Sequence, residues 1–312
     1  GTVYRARDTS LDRPVVVKVP HARFLAEPGF RARLAREIAE LVRLEHPHVV
    51  RILARGEHDE IPFFVLQYLG GGSLEDRLEN GRPQDPEQTL PWVQAMARTL
   101  DFVHKRGSLH RDVKPGNVLF DEEGHVFLSD FGVAKAVDAE SDALTGTGVG
   151  IGSPKYMAPE QALGRDVGPA ADQYGLASSL YEALTGRLPF DGTPVEILVR
   201  KSREDPPPVR EHLPDLPEAA ADALMRAMAR EPADRFPSCT AFADAFASGL
   251  GADAAATQVV RVPEPTPTEV ALPADWQGRR RKRLLGSVLA VVLVGIALFT
   301  VFRRGSHSPG GV

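Results

Sequence analysis

The sequence contains a single cysteine, Cys239, among 312 residues. No disulfide can therefore form within the chain, which fits a reducing compartment. The chain also lacks a surplus of positive charge, because 37 lysines and arginines face 42 aspartates and glutamates and the formal net charge is −5. Nucleic-acid binding usually requires a basic surface, so this composition predicts no nucleic-acid partner. We find no internal repeat.

Long uncharged runs are absent except near the C-terminus, where residues 284–302 contain neither charge nor proline. At ~1.5 Å per helical residue this run would cover roughly 28 Å, close to the hydrocarbon thickness of a bilayer. Five basic residues at 279–283 precede the run, and only Arg303 and Arg304 follow it. The flank with more lysine and arginine usually stays in the cytoplasm. We therefore predict a single-pass protein of the cell membrane with a cytoplasmic N-terminal portion. The alternative interpretation is a buried core helix.

Two composition patterns divide the rest of the chain. Within residues 1–69, the β-branched or aromatic runs at 15–17 and 63–66 predict strands, and apolar residues at helical spacing predict an amphipathic helix over 30–44. Helical patterns broken by glycine and proline dominate residues 70–250. We therefore predict an α+β domain with a small β-rich N-lobe and a larger α-helical C-lobe.

The domain organisation predicted from these patterns has four parts. A folded domain over residues 1–250 is followed by a linker at 251–283, rich in proline, threonine and alanine and ending in the basic cluster. A transmembrane helix at 284–302 and a short extracytoplasmic tail at 303–312 complete the chain. Since the first residues already have the pattern of a strand interior, we expect a truncation before Gly1.

The segment 110–117, which reads His-Arg-Asp-Val-Lys-Pro-Gly-Asn, places a carboxylate, an amine and an amide close together. Phosphoryl transfer requires mainly positioning and charge neutralisation. Asp112 would orient the attacking hydroxyl and accept its proton, and Lys114 would stabilise charge on the moving phosphoryl group. Asn117 would hold a magnesium ion. The alternative is a polar loop that matches by chance.

A second carboxylate, Asp130, begins an Asp-Phe-Gly motif thirteen residues after Asn117. The apolar runs at 118–120 and 126–128 predict a short hairpin between them. Such a hairpin would return Asp130 to the side of Asn117. Mg²⁺ prefers hard oxygen ligands, so the two side chains are predicted to share one metal site.

Lys18 ends an apolar strand, where a lysine is costly unless it is paired. Glu37, on the predicted helix, is the natural partner, and Glu40 is the rival candidate. The pair would hold the α- and β-phosphates of ATP. The plain alternative makes both residues solvated surface charges.

Five motifs in this order resemble the eukaryotic-type (Hanks-type) protein kinase family, and bacterial membrane-anchored serine/threonine protein kinases in particular. They are Gly-Thr-Val-Tyr at residues 1–4, Val-Lys at 17–18, the segment 110–117, Asp-Phe-Gly at 130–132 and Ala-Pro-Glu at 158–160. The resemblance implies a bilobal protein kinase fold, the cofactors ATP and Mg²⁺, and protein substrates phosphorylated on serine or threonine.

The resemblance also implies a nucleotide site, made of Gly1, Val3, Val16, Lys18, Glu37, Leu66, Gln67, Leu69 and Leu119. Val3 and Val16 would enclose the adenine ring, Leu66 would be the gatekeeper, and residues 67–69 would pair with adenine through their backbone. Gly1 matches the last glycine of the family's Gly-rich loop. Because two earlier glycines of that loop are missing, we expect poor nucleotide binding from the chain as it begins here.

Other residues receive supporting roles from the resemblance. His110 and Phe131 would pack in an apolar spine, which makes His110 structural rather than an acid or base. Glu160 would form a buried ion pair with Arg235. Asp172 would brace the backbone of residues 110–117, which form the catalytic loop in this family.

Regulation is also implied by the resemblance. Arg111 precedes the catalytic aspartate, and kinases with this arrangement commonly need phosphorylation of the activation loop, which corresponds to residues 133–157 here. Thr145 and Thr147 are the expected phosphosites, and phosphate there could pair with Arg111. The alternative is a plain flexible linker with incidental hydroxyls.

Two other function classes compete with an active protein kinase. A pseudokinase that acts as a scaffold would commonly have lost Lys18, Asp112 or Asp130, and all three are present. A small-molecule phosphotransferase would not need the Ala-Pro-Glu motif or the long segment 133–157 that precedes it. Protein phosphorylation is therefore the favoured hypothesis, with a possible homodimer as the signalling form.

Overall fold

A computed structural model gives the architecture of the chain within its first unit, Gly1–Gln258. None of the helices described there is long and apolar enough to cross a membrane. The predicted transmembrane helix and tail, and the predicted linker beyond Gly251, lie outside the described residues. The structure describes residues 2–20, 30, 34, 45–59, 61–79, 81–130 and 154–251.

Among the described residues, the N-terminal part contains an antiparallel sheet of four strands, which are β1 Thr2–Asp8, β2 Arg13–Val19, β3 Ile52–His58 and β4 Ile61–Gln67, in the order β1-β2-β4-β3. The predicted strands at 15–17 and 63–66 are confirmed as the centres of β2 and β4, which bury Val15 and Phe64. Both side chains are large and apolar, as the inner face of a half-buried sheet requires.

The predicted amphipathic helix is described at two positions, Phe30 and Leu34. Both are helical, and they are 2% and 4% exposed. Residues four apart lie on the same face of a helix, so these two side chains begin the apolar stripe that the sequence predicts.

Helices dominate the C-terminal part, as predicted, and four of those described begin with proline. Proline suits the first helical position, because its fixed φ is helical and its missing N–H would have no partner there. The helices are α1 Leu74–Leu78, α2 Pro86–His104, α3 Pro159–Ala162, α4 Pro169–Thr185, α5 Pro194–Arg203, α6 Glu218–Ala227 and α7 Cys239–Gly249. Short 3₁₀ helices lie at Pro115–Asn117, Val209–Glu211 and Pro232–Asp234.

The main hydrophobic core lies where α2 and α4 pack against each other and against α6 and α7. Leu100 from α2, Leu176 from α4, Leu224 from α6 and Phe242 from α7 are all 0% exposed. Burying a leucine or phenylalanine fully contributes about 1.5–3 kcal/mol relative to leaving it in water. This core gives the loop that follows α2 a rigid support.

The predicted hairpin is confirmed as β5 Val118–Phe120 and β6 Val126–Leu128. Val118 is paired with Leu128, and both side chains are 0% exposed. The turn contains Gly124 with φ +89°, a conformation that glycine adopts without steric cost. The hairpin therefore brings Leu128 back beside Val118, next to the end of the segment 110–117.

Candidate active site

A buried carboxylate, Asp172 of α4, anchors the loop at residues 110–117. Its Oδ2 accepts a hydrogen bond from the backbone N–H of His110 at 2.9 Å, and its Oδ1 accepts one from the N–H of Arg111 at 2.7 Å. The Nε2 atom of His104, at the end of α2, lies 2.7 Å from Asp172 Oδ2. A buried charge is tolerated when it is hydrogen-bonded in this way. Asp172 thus joins α2, α4 and the loop.

Arg111 has a left-handed backbone, with φ +62°. For a residue other than glycine this costs on the order of 1–3 kcal/mol, so the surroundings must hold it. Its N–H is bound by Asp172, and its carbonyl accepts a hydrogen bond from Gln161 Nε2 at 3.1 Å. Both sides of the strained residue are therefore fixed, which orients the next residue, Asp112.

Gly175 of α4 allows the loop to approach the helix closely. A Cβ atom at this position would lie 2.7 Å from the carbonyl oxygen of Val113. Since real Cβ contacts are longer, any side chain at Gly175 would displace the loop beside Asp112.

His110 is fully buried and lies between two backbone groups. Its Nε2 is 2.8 Å from the carbonyl oxygen of Ser129, and its Nδ1 accepts a hydrogen bond from the N–H of Asp112 at 3.3 Å. A carbonyl only accepts, so Nε2 carries the proton and the ring is the neutral tautomer. Burial lowers the pKa of His110, against the opposing effect of Asp172. These contacts correspond to a structural role and not to acid–base chemistry.

Asp112, Lys114 and Asn117 meet as the sequence predicts. Lys114 Nζ lies 3.0 Å from Asp112 Oδ2. Asn117 Nδ2 donates to the carbonyl oxygen of Asp112 at 2.7 Å and to Asp112 Oδ2 at 3.3 Å. The carboxylate therefore has a fixed orientation beside a cation, in a position that is partly open to solvent.

Asp130 reaches the same place through the β5–β6 hairpin. The backbone N–H of Ser129 and its hydroxyl both donate to the carbonyl oxygen of Asn117, at 2.9 and 3.2 Å. Asp130 follows with φ +54°. Lys18 Nζ, from β2, lies 2.6 Å from Asp130 Oδ1. A cation of the sheet thus contacts a carboxylate beside the catalytic loop.

The predicted nucleotide residues of the sheet lie on neighbouring strands. Val16 of β2 is paired with Leu66 of β4, and Lys18 of β2 is paired with Val3 of β1. Val16 and Leu66 are half-buried, whereas the Val3 side chain is 59% exposed. The register places Val3, Val16, Lys18 and Leu66 in adjacent positions of one sheet.

The remaining predicted nucleotide residues lie where β4 ends. Gln67 is the last residue of β4, and Leu69 follows it. Leu119, in the centre of β5, forms an isolated bridge with Ser73. This bridge holds β5 against the segment that follows β4, so the structure brings Leu119 to the same region as Leu69.

The predicted ion pair of Glu160 with Arg235 is present and fully buried. Arg235 Nη1 and Nη2 donate to the two carboxylate oxygens of Glu160 at 2.7 and 2.8 Å. The remaining guanidinium donors reach backbone carbonyls of Ala170, Ala229 and Arg230. Because the bidentate pair satisfies both charged groups, it ties α3 to the segment before α7.

A family model for the protein kinase domain matches residues 1–246. The chain belongs to the protein kinase family. This kinase domain accordingly has the expected sheet-containing N-lobe and helical C-lobe. Membership implies the use of ATP and a divalent metal.

Bacterial serine/threonine-protein kinases are similar in sequence to this kinase chain over most of its length. Serine/threonine-protein kinase PknB of Mycolicibacterium smegmatis is 35% identical over 88% of the chain, and PknF of Mycobacterium tuberculosis H37Rv is 36% identical over 94%. The chain covers 45% and 62% of the lengths of these two relatives. A crystal structure of the Mycobacterium tuberculosis PknI kinase domain aligns with TM-score 0.63 and 32% identity, over 79% of this chain and 90% of that one. The predicted resemblance to bacterial serine/threonine kinases is confirmed.

The donor set of this kinase domain fits a magnesium ion. Asn117 uses its amide nitrogen on Asp112, which leaves the amide oxygen for a ligand. Asp130 contributes a carboxylate whose side chain is 41% exposed. Hard oxygen donors of this kind are those that Mg²⁺ prefers, together with waters and phosphate oxygens.

Five predicted site residues lie outside the described part of the chain. They are Gly1, Glu37, Phe131, Thr145 and Thr147. Their assigned roles therefore stay predictions, and the described partner of Lys18 is Asp130.

Several residues of this kinase site were not found by sequence reasoning. The hydroxyl of Tyr156 donates to Glu182 Oε2 at 2.6 Å, and burial raises the pKa of both groups. Gln161, His104 and Lys201 also hold the site through hydrogen bonds. Tyr156 and Gln161 lie beside the Ala-Pro-Glu motif, which was a usable signal. Nothing in the sequence connects Lys201 with this motif.

Proposed function

We propose that this chain carries the catalytic domain of a serine/threonine protein kinase, which transfers the γ-phosphate of ATP to serine and threonine hydroxyls of proteins. The observation that supports this most directly is the meeting of Asp112, Lys114, Asn117 and Asp130 at one place. The names of its bacterial relatives support the same activity.

Asp112 is the candidate base of this reaction. Its Oδ2 is oriented by Asn117 and lies 3.0 Å from Lys114 Nζ. As the acceptor oxygen bonds to the γ-phosphorus, the bond from that phosphorus to the β–γ bridging oxygen breaks and ADP leaves. The acceptor proton passes to the Asp112 carboxylate, and Lys114 stabilises the charge on the phosphoryl oxygens.

Asn117 and Asp130 are the residues that would hold the metal. A bound Mg²⁺ neutralises phosphate charge when it is present. Lys18, now 2.6 Å from Asp130, would turn to the α- and β-phosphates when nucleotide binds, because phosphate oxygens offer it more negative charge. Val16 and Leu66 would then border the adenine ring.

The test is phosphate transfer from radiolabelled ATP to myelin basic protein by the full-length protein. We expect Asp112→Asn to lower the rate at least ~100-fold, which is the usual effect of losing a general base. Asp205→Asn is the matched control, because Asp205 is also an aspartate but is exposed and lies after α5. Equal rates for Asp112→Asn and the parent chain would contradict the assigned role.

A chelator series distinguishes the alternatives. A kinase loses transfer on removal of divalent metal and recovers it on addition of Mg²⁺, and Asn117→Ala should raise the Mg²⁺ concentration required. A pseudokinase would transfer no phosphate under any of these conditions. A small-molecule phosphotransferase would act on free alcohols and leave proteins unlabelled.

Autophosphorylation of the activation loop at Thr145 and Thr147 is part of this proposal. It is supported by Arg111, whose exposed side chain precedes Asp112 and whose backbone is fixed on both sides. Phosphate on either threonine would give this arginine an anionic partner. Full substrate phosphorylation by the Thr145→Ala, Thr147→Ala double variant would contradict it.

Membrane anchoring is proposed from the sequence. The basic cluster at 279–283 and the apolar run at 284–302 support a single-pass protein of the cell membrane with a cytoplasmic kinase domain. Signalling would then be linked to the membrane, and a homodimer is one way to bring two such domains together. Digestion of the kinase domain by protease added outside intact cells would contradict this orientation.

A further inference from the structure

Lys201 of α5 is a buried lysine that the reaction described above does not use. The residue is only 1% exposed, although lysine is rarely buried without an anionic partner. It lies one turn after the buried Ile197, so the two share the inward face of α5. Within the described part of the chain no carboxylate forms an ion pair with Lys201.

The ammonium group instead binds backbone carbonyls. Lys201 Nζ donates to the carbonyl oxygen of Lys155 at 2.7 Å and to that of Met157 at 2.7 Å. Its nitrogen also lies 5.1 Å from the centroid of the Tyr174 ring. Neither carbonyl belongs to a described helix or strand, so Lys201 supplies the hydrogen bonds that secondary structure would otherwise provide.

These contacts do not depend on a permanent charge. Burial lowers the pKa of Lys201 to about 7. A neutral amine still has two N–H donors, and two carbonyls are bound. The geometry is therefore that of a backbone anchor rather than an ion pair.

The anchored segment lies beside the catalytic carboxylate. Tyr156 and Met157 line the same cavity as Arg111, Asp112 and Val113. Because the segment and Asp112 line one cavity, a protein hydroxyl that binds at Asp112 would bring its own chain close to Tyr156 and Met157. Tyr156 is held from the other side by Glu182, at 2.6 Å. The position of the segment therefore affects how an acceptor chain is placed.

We infer that Lys201 is a positioning residue for the protein acceptor: it fixes the backbone of residues 155–157 beside Asp112. The inference rests on the proposed kinase function. It assigns acceptor placement to a helix, α5, that contributes none of the reacting groups. ATP is proposed to bind at Lys18 and Asp130, neither of which lines the cavity shared by Asp112, Tyr156 and Met157, so the KM for ATP should be affected much less.

The experiment compares Lys201→Met with Arg203→Met in the full-length protein. Methionine keeps the length and apolar stem of lysine but cannot donate, and Arg203 is an exposed cation on the same helix. We expect Lys201→Met to raise the KM for myelin basic protein about tenfold and to change the KM for ATP less than twofold. Arg203→Met should match the parent chain in both constants. A lower folded fraction alone would reduce kcat and leave both KM values unchanged.

A second measurement keeps the inference testable without catalysis. Amide hydrogen exchange at residues 155–158 should accelerate at least tenfold in Lys201→Met relative to Arg203→Met. Lys201→Gln retains two N–H donors and should recover part of both effects, and it replaces the methionine variant if that variant fails to fold. Unchanged exchange, or an unchanged KM for the acceptor, would overturn the inference. If the parent chain transfers no phosphate, the kinase proposal fails and exchange alone decides the anchoring.

Discussion

Lys18 Nζ and Asp130 Oδ1 lie 2.6 Å apart, although the two residues are separated by 112 positions in the sequence. Lys18 is the second-last residue of β2 and is paired with Val3 of β1, and Asp130 follows the β5–β6 hairpin. The contact joins the sheet to a carboxylate beside the catalytic loop, at the place where ATP phosphates and Mg²⁺ are proposed to bind. Both side chains are partly exposed, so a ligand can reach both charged groups.

Replacing Lys18 tests this contact directly. We expect Lys18→Met to lower kcat about 100-fold or more, because one preorganised cation that stabilises phosphate charge is lost. Lys105→Met, at an exposed lysine just after α2, is the matched control and should leave the rate unchanged. Steady-state transfer to myelin basic protein measures both. A Lys18→Met rate within threefold of the parent would refute the role.

The Glu160–Arg235 pair should dominate the stability of the C-lobe. Glu160→Ala leaves a guanidinium buried without its anion, which should reduce the free energy of unfolding by about 3–5 kcal/mol. Glu231→Ala removes an exposed partner of Arg165, 3.8 Å away, and should cost less than about 1 kcal/mol. Urea unfolding followed by circular dichroism compares the two. If both variants lost a similar amount of unfolding free energy, burial would not explain how much the Glu160–Arg235 ion pair contributes to stability.

Asp172→Asn tests whether the backbone geometry of the catalytic loop affects the reaction rate, because Asp172 is not itself one of the reacting groups. The amide cannot accept from His104, His110 and Arg111 as the carboxylate does, so the strained backbone at Arg111 should relax. We expect a loss of about 3 kcal/mol in stability, from hydrogen bonds to a charged group, and a lower kcat. Asp166→Asn, at an exposed aspartate before α4, is the control. Wild-type kcat in Asp172→Asn would contradict the bracing role.

His46 should make stability depend on pH. Burial, with smaller contributions from His48 and nearby arginines, lowers the pKa of His46 to about 4. The unfolded state, with a pKa near 6.5, binds the proton first as pH falls, so stability is complete above about pH 6.5 and decreases toward pH 4. Because the ring is only half-buried, we expect its share to be about 1 to 2 kcal/mol rather than the full shift.

The measurement is urea unfolding at pH 7 and pH 4.5. His46→Asn should lose less stability between these pH values than the parent chain. His58→Asn, whose imidazole is 85% exposed, should behave as the parent does. The buried His110 also has a lowered pKa and acts in the same direction, so a residual pH dependence remains in His46→Asn. Identical pH dependence of stability in all three proteins would show that protonation of His46 is not its cause.

Much of the fold was predictable because its signals are local. The runs at 15–17 and 63–66 predicted β2 and β4 through their β-branched and aromatic residues. The hairpin was predictable from two short apolar runs around a glycine turn. The segment 110–117 was informative because three reacting side chains lie within one loop, where covalent spacing alone keeps them close.

The sequence by itself therefore determined the two-lobed organisation, the family and the identity of the candidate reacting groups. The tertiary structure alone decided which distant groups hold them in place: Lys18 on Asp130, Tyr156 on Glu182, and Lys201 on the carbonyls of residues 155 and 157. Such partners depend on how helices pack. Every residue type has a backbone carbonyl, so the sequence does not indicate which carbonyl accepts a hydrogen bond from a distant side chain. For this reason an anchor such as Lys201 becomes visible only when the chain is folded.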